Sequence, residues 1–229
     1  MRVAIIGNSH TGSLIYAMKT DPDILGREIE VTIFAAVNKA LRFLKFRGDA
    51  IVATRDGLRR LIQATSGGIA QVDVTDYDAF FLMGIGFILR PLDGGWSTAV
   101  RETALDRMIG QTEMWRIATG LRERTTRPIL CGHNPLPIRR PLRDGSEPIA
   151  YDEMAAWFTS KFEAANLTLV RQPAETRTVK LTTRPAFGKG SKRMVDDEEY
   201  GKADRLHMNA DYGAIYLRAL RPLLVPGTA

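Results

Sequence analysis

The chain has 229 residues, 45% of them hydrophobic and 25% charged, which is the make-up of an ordinary water-soluble globular fold. It carries 32 Lys and Arg against 26 acidic residues, and the resulting +6 is spread too thinly to define a nucleic-acid surface. One cysteine, Cys131, excludes an intrachain disulfide and any multi-cysteine metal centre.

Residues 2–7 form a short apolar run that breaks at Gly7. The chain then presents Asn8, Ser9 and His10 and resumes with helix-compatible residues over 11–19. That order is a buried strand, a tight turn and a helix. It places Ser9 at the carboxyl end of a strand, beside the amides that open the helix. Open α/β sheets bind ligands at this edge, and helix N-termini favour developing negative charge.

A second strand is expected over 30–36, a short extra strand over 50–54 and a short helix over 58–64. Residues 41–46 are too mixed to assign. Gly67 and Gly68 force a turn. The next buried strand, 78–84, ends in Gly84-Ile85-Gly86-Phe87, and a loop with Asp93-Gly94-Gly95-Trp96 follows. Residues 98–124 read as helix, interrupted near Gly110. A strand over 127–131 ends in Gly132-His133-Asn134-Pro135. In the helix over 151–166, Met154, Trp157, Phe158 and Phe162 recur at helical spacing and are read as a core-facing stripe. A last parallel strand is expected at 167–170, extended chain at 178–182, a mobile glycine-rich loop at 188–201, and a closing helix over 209–220 stopped by Pro222. Strands alternating with helices, without repeats or a long linker, imply one domain over residues 1–229: a three-layer α/β/α sandwich around a parallel sheet.

The basic groups Arg139-Arg140 with Arg143, and Lys189 with Lys192-Arg193, lack interleaved aromatic residues that could stack bases. No run approaches a membrane span. The opening apolar run is too short for a signal peptide, so the cytoplasm is the expected compartment.

The only histidines are His10, His133 and His207. A serine nucleophile needs a base to take its proton and a carboxylate to fix the base's tautomer. Asp204, three residues before His207, can supply both from one segment. A parallel sheet brings its strand-to-helix loops to one edge, where that segment can reach Ser9.

Gly7-Asn8-Ser9 after the first strand, together with Asp204-x-x-His207 and the run His207-Met208-Asn209-Ala210-Asp211-Tyr212-Gly213, resembles the SGNH/GDSL hydrolase superfamily. The resemblance implies a flavodoxin-like sandwich and ester hydrolysis through a serine acyl-enzyme. It assigns Ser9 as nucleophile, His207 as base and Asp204 as orienter. Two departures stand out. Asn8 replaces the usual Asp, and Gly84-Ile85-Gly86-Phe87 matches the third block without its asparagine. The oxyanion hole is then expected from the amides of Ser9 and of Gly67 or Gly68, from Gly86, and from Asn134 on the next strand. His10, Phe87 and His133 are candidates for the substrate pocket.

The expected substrate is a small-molecule or saccharide ester, and the basic balance is compatible with an anionic one. Neither metal nor other cofactor is expected. A noncatalytic or acyl-transferring carbohydrate-binding relative is the alternative. A nucleotide-binding protein is disfavoured, because Gly7-x-x-x-x-Gly12 is followed by Ser13-Leu14 instead of the Lys-Ser/Thr of a phosphate loop.

Overall fold

The computed structural model describes residues 1–89, 95–138, 150–179, 181–201 and 203–225. The basic group at Arg139, Arg140 and Arg143, and Asp93-Gly94 of the loop before Trp96, lie outside them.

Strand β1 (Arg2–Gly7) has every residue after Arg2 buried, so its run of Val, Ala and Ile packs on both faces. It pairs in parallel with β2 (Glu30–Ala35) on one side. Helix α1 (Gly12–Thr20) follows β1 through a short 3₁₀ turn, Ser9–Thr11. After β2 the chain leaves the main sheet. Strands β3 (Leu44–Arg47) and β4 (Ala50–Ala53) form an antiparallel ribbon, and β5 (Gln71–Asp73) pairs with β4. The run expected as one extra strand is thus the centre of a second, three-stranded sheet. Its β3 segment alternates buried Leu44 and half-buried Phe46 with exposed Lys45 and Arg47, a period of two over only four residues. Helix α2 (Asp56–Ser66) lies between β4 and β5.

Strand β6 (Ala79–Met83) is fully buried and pairs in parallel with the free side of β1. Helices α3 (Thr98–Gly110) and α4 (Glu113–Arg122) divide the long helical run at the expected place. Thr112 caps α4 by accepting the Trp115 N–H. Strand β7 (Ile129–Gly132), helix α5 (Tyr151–Ala164) and strand β8 (Thr168–Val170) complete the sheet. Met154, Phe158 and Phe162 on α5 are buried, with Trp157 half-buried beside them.

The main sheet runs β2-β1-β6-β7-β8, with every pairing parallel. Counted within the sheet this is 2-1-3-4-5, the doubly wound flavodoxin-like order, whose ligand crevice opens where the winding reverses. Here that point lies between the carboxyl ends of β1 and β6. Two apolar layers cover the sheet. Residues of α2, α4 and α5 pack on one face, and those of α1 and α6 (Ala210–Leu224) on the other.

Helix α6 runs past Pro222 to Leu224 instead of stopping there. Proline cannot bond the carbonyl four residues back, but within the last turn that is a small loss. Buried Leu220 and Leu224 lie on either side of it against the core. The closest helix contact is α1 with α6. A methyl group at Gly213 would sit 2.0 Å from the Ser13 carbonyl oxygen, so glycine is required there. The glycine-rich segment before α6 is tied down, contrary to expectation. Ser191 and Met194 are buried, Lys192 and Glu199 form an isolated antiparallel backbone β-bridge, and Asp197 takes bonds from Tyr16 and Lys19 of α1. Arg193, one of the basic group, is paired with Asp196 and Glu198. Among the described residues, the extended chain expected at 178–182 gives one isolated antiparallel bridge, Arg177 to Thr183.

Candidate active site

Ser9 opens the 3₁₀ turn directly after β1, with Asn8 as its cap. From the far end of the sequence, the segment before α6 returns to the same edge. Ser9 Oγ lies 2.9 Å from His207 Nε2, and His207 Nδ1 lies 2.9 Å from Asp204 Oδ2. Asp204 Oδ1 accepts the backbone N–H groups of Leu206 and His207 at 2.9 and 2.8 Å. One carboxylate oxygen is therefore committed to its own turn, and the other faces the ring. The carboxylate requires a hydrogen on Nδ1, which leaves the Nε2 lone pair to accept the Ser9 hydroxyl proton. Burial works against ionising Asp204, but the hydrogen bonds from His207 and Leu206 outweigh it and hold the carboxyl below its ordinary range. The His207 and Asp204 side chains retain 17% and 21% exposure, so both are still in contact with solvent.

Asn8 and Asn134 form a second array. Asn8 Oδ1 accepts the His10 N–H at 3.1 Å, so its Nδ2 faces away from that amide. Nδ2 donates to Asn134 Oδ1 at 2.8 Å. This order fixes the Asn134 amide in turn, with Oδ1 toward Asn8 and Nδ2 donating to nothing among the described residues. Ser9 N–H likewise has no acceptor among them. The Ser9 amide and the side-chain nitrogen of Asn134, whose amide is hydrogen-bonded to the residue before Ser9, are thus two donors without an acceptor among the described residues.

The backbone of Asn134 is pinned by its own N–H to Phe87 O, at 2.8 Å. Behind it runs a buried polar chain. The Tyr151 hydroxyl donates to His133 Nε2 at 2.9 Å and accepts the Gln172 N–H at 2.8 Å. His133 Nδ1–H donates to Asn134 O at 2.5 Å. Gln172 Oε1 accepts from Leu136 N, and its amide donates to Thr176 and Thr183. Satisfied buried networks of this kind are rigid.

Several expected assignments change. The amides of Gly67 and Gly68 both donate to Gln63 O, ending α2 as a left-handed cap, so neither is available to an oxyanion. Gly86 lines a cavity of about 180 Å³ with Lys39, Leu41, Arg42, Ile85 and Glu113, and it is Gly84 that abuts the Asn8–Asn134 pair. Phe87 is fully buried against Phe158 and Phe162, and His133 is 2% exposed within its network, so neither lines a pocket. His10 is also buried, with its ring 5.0 Å from that of His207. Burial first, and His207 second, push its pKa down to about 3, with Asp204 opposing. A neutral His10 does not repel a charged His207.

Sequence reasoning missed Tyr200. Its ring stacks on His207 at 3.7 Å and 5°, and its hydroxyl is within hydrogen-bonding reach of Ser9. No motif marks it, because only the folded 191–200 segment brings it to the site.

No protein-family profile and no curated protein sequence matches the chain. Among solved structures it is similar to an acetyl xylan esterase, AlAXEase, at 13% identity, covering 98% of this chain and all of that one, with a TM-score of 0.48. A carbohydrate acetylesterase family member from Sinorhizobium meliloti shares 13% identity, with 98% and 97% coverage and a TM-score of 0.44. The periplasmic domain of a lipopolysaccharide acetyltransferase from Salmonella ser. Paratyphi A shares 9%, with 98% and 83% coverage and a TM-score of 0.45. Such scores leave the weight on the chain's own geometry.

Proposed function

We propose that this chain is a serine esterase of the SGNH/GDSL type, acting on small or saccharide esters through an acyl-enzyme on Ser9. The observation that carries this reading is the continuous chain from Ser9 Oγ through His207 to Asp204, each link 2.9 Å long. His207 Nε2 takes the Ser9 proton as Oγ attacks the ester carbonyl. Asp204 holds the tautomer and stabilises the imidazolium that forms. The carbonyl oxygen, now negatively charged, is met by the Ser9 amide and Asn134 Nδ2, the two donors without an acceptor among the described residues. His207 then passes its proton to the leaving alcohol. A water molecule, or a second alcohol in an acyltransferase, enters where the alcohol left, and the same base activates it.

The position of Asn134 supports reading it as the replacement for the missing third-block asparagine. It reaches the crevice from β7 instead of β6. A fluorophosphonate tests the assignment: it should add to Ser9 and be located there by peptide mass spectrometry. Labelling that persists in Ser9→Ala, or a wild-type protein inert to the probe and to short aryl esters, would overturn it.

A further inference from the structure

The base in this array is held at three points of different kind. Two are the hydrogen bonds from Nδ1 to Asp204 and from Ser9 to Nε2. Imidazole rotates about its Cβ–Cγ bond in a broad well, so bonds at its edge leave the ring plane soft. Water also competes for both bonds, because His207 and Asp204 are partly exposed. The third restraint does not compete with water. The Tyr200 ring lies 3.7 Å from His207 and within 5° of parallel. The His10 ring lies 5.0 Å from His207 at 30°. Both rings are therefore stacked on the imidazole, Tyr200 the closer and more nearly parallel of the two.

Tyr200 is itself held in place. Its N–H donates to Ser191 O at 2.8 Å, closing a segment whose Asp197 is bound by Tyr16 and Lys19 of α1. Helix α1 begins at the turn that presents Ser9. The ring that covers the base is thus fastened to the element that carries the nucleophile. His10 is only one residue from Ser9.

We propose that Tyr200 is a positioning residue for His207. Its ring covers a face of the imidazole, with the His10 ring stacked more loosely beside it, and holds the base in the plane in which Nε2 meets Ser9 and Nδ1 meets Asp204. The consequence for turnover rests on the esterase reading above, but the restraint on the ring does not.

The test compares Tyr200→Leu, which removes the ring, with Tyr200→Phe, which restores it without the hydroxyl. Two readouts are needed: the acylation burst with p-nitrophenyl acetate, and the downfield proton resonance of the His207 Nδ1–H bonded to Asp204. Tyr200→Leu should slow acylation about tenfold, the full worth of one stacked aromatic pair, with KM little changed. Its Nδ1–H resonance should broaden or vanish. Tyr200→Phe should recover most of the rate and the sharp resonance. A leucine variant with wild-type rate and resonance overturns the proposal. So does a phenylalanine variant as slow as leucine, which would assign the effect to the hydroxyl beside Ser9. If the wild type turns over no ester, the esterase reading fails, and the resonance alone decides whether the ring restrains His207.

Discussion

The side-chain amide of Asn8 donates to that of Asn134 across 2.8 Å, and Gly84 makes room for the pair. A methyl group on Gly84 would lie 2.2 Å from Asn134 Oδ1 and 2.7 Å from Asn8 Nδ2. Gly84 also sits at φ 78°, where a side chain is strained in any case. Three strand ends, β1, β6 and β7, therefore meet at one contact.

If Asn134 Nδ2 serves the oxyanion, Asn134→Ala should lower kcat by roughly 10²-fold or more with KM little changed. The fold should survive, because Asn134 is only half-buried and its backbone bond to Phe87 remains. Gly84→Ala should cut activity and also lower the melting temperature. Steady-state kinetics with thermal melting separates the two effects. An Asn134→Ala enzyme of undiminished kcat would remove Asn134 from the reaction.

Asp204→Asn keeps the side-chain shape but loses the charge that fixes the His207 tautomer. We expect kcat to fall by about 10³–10⁴-fold, the scale of losing an orienting carboxylate, with Ser9 still present but unreactive to fluorophosphonate. Because the folded Asp204 carboxyl ionises below its ordinary 3.8, its contribution to stability is present above that pH. It is lost as pH falls through the folded value. Denaturant titrations of both proteins should therefore converge in strong acid.

His10 and His133 predict a second, milder acid effect. Burial lowers their pKa values from 6.5 to about 3 and about 4, with His207 adding to the fall at His10 and Arg177 at His133. Between 6.5 and those values the unfolded chain binds protons that the native one does not, so stability rises with pH there and is full above 6.5. At pH 5 each should cost about 2 kcal/mol relative to neutral pH. Urea unfolding at pH 7 and pH 5 measures this, and an unchanged midpoint would mean that the native rings titrate freely.

Tyr212 is fully buried and its hydroxyl has no hydrogen-bond partner among the described residues. Removing a buried, unsatisfied polar group relieves its desolvation cost. Tyr212→Phe should raise stability by about 1 kcal/mol, read as a higher denaturant midpoint. A lower midpoint would show that the hydroxyl is satisfied in solution.

Much of this protein can be read from local pattern. The run of branched residues before Gly7, broken by a turn, reads as a buried strand, and the stripe Met154, Phe158, Phe162 reads as the core-facing side of a helix; both are as expected. Ser9 at a strand end and Asp204 three residues before His207 are likewise local facts, because one turn places the carboxylate beside the ring. The resemblance to the SGNH/GDSL superfamily rested on those two short blocks. Only the tertiary structure decided which donors stand near Ser9. Paired glycines look the same in sequence whether they cradle an anion or cap a helix, and at Gly67 and Gly68 the Gln63 carbonyl had already taken both amides. Whether Phe87 and His133 lined a pocket depended on what α5 packed against them. Tyr200 carried no signal at all, since stacking on His207 depends on a segment docked to α1 almost two hundred residues from Ser9 in sequence. Strand, helix and turn follow from spacing within a few residues. The choice of donors and ring neighbours follows from parallel strands whose ends converge, and that convergence is a property of the sheet, not of any segment in it.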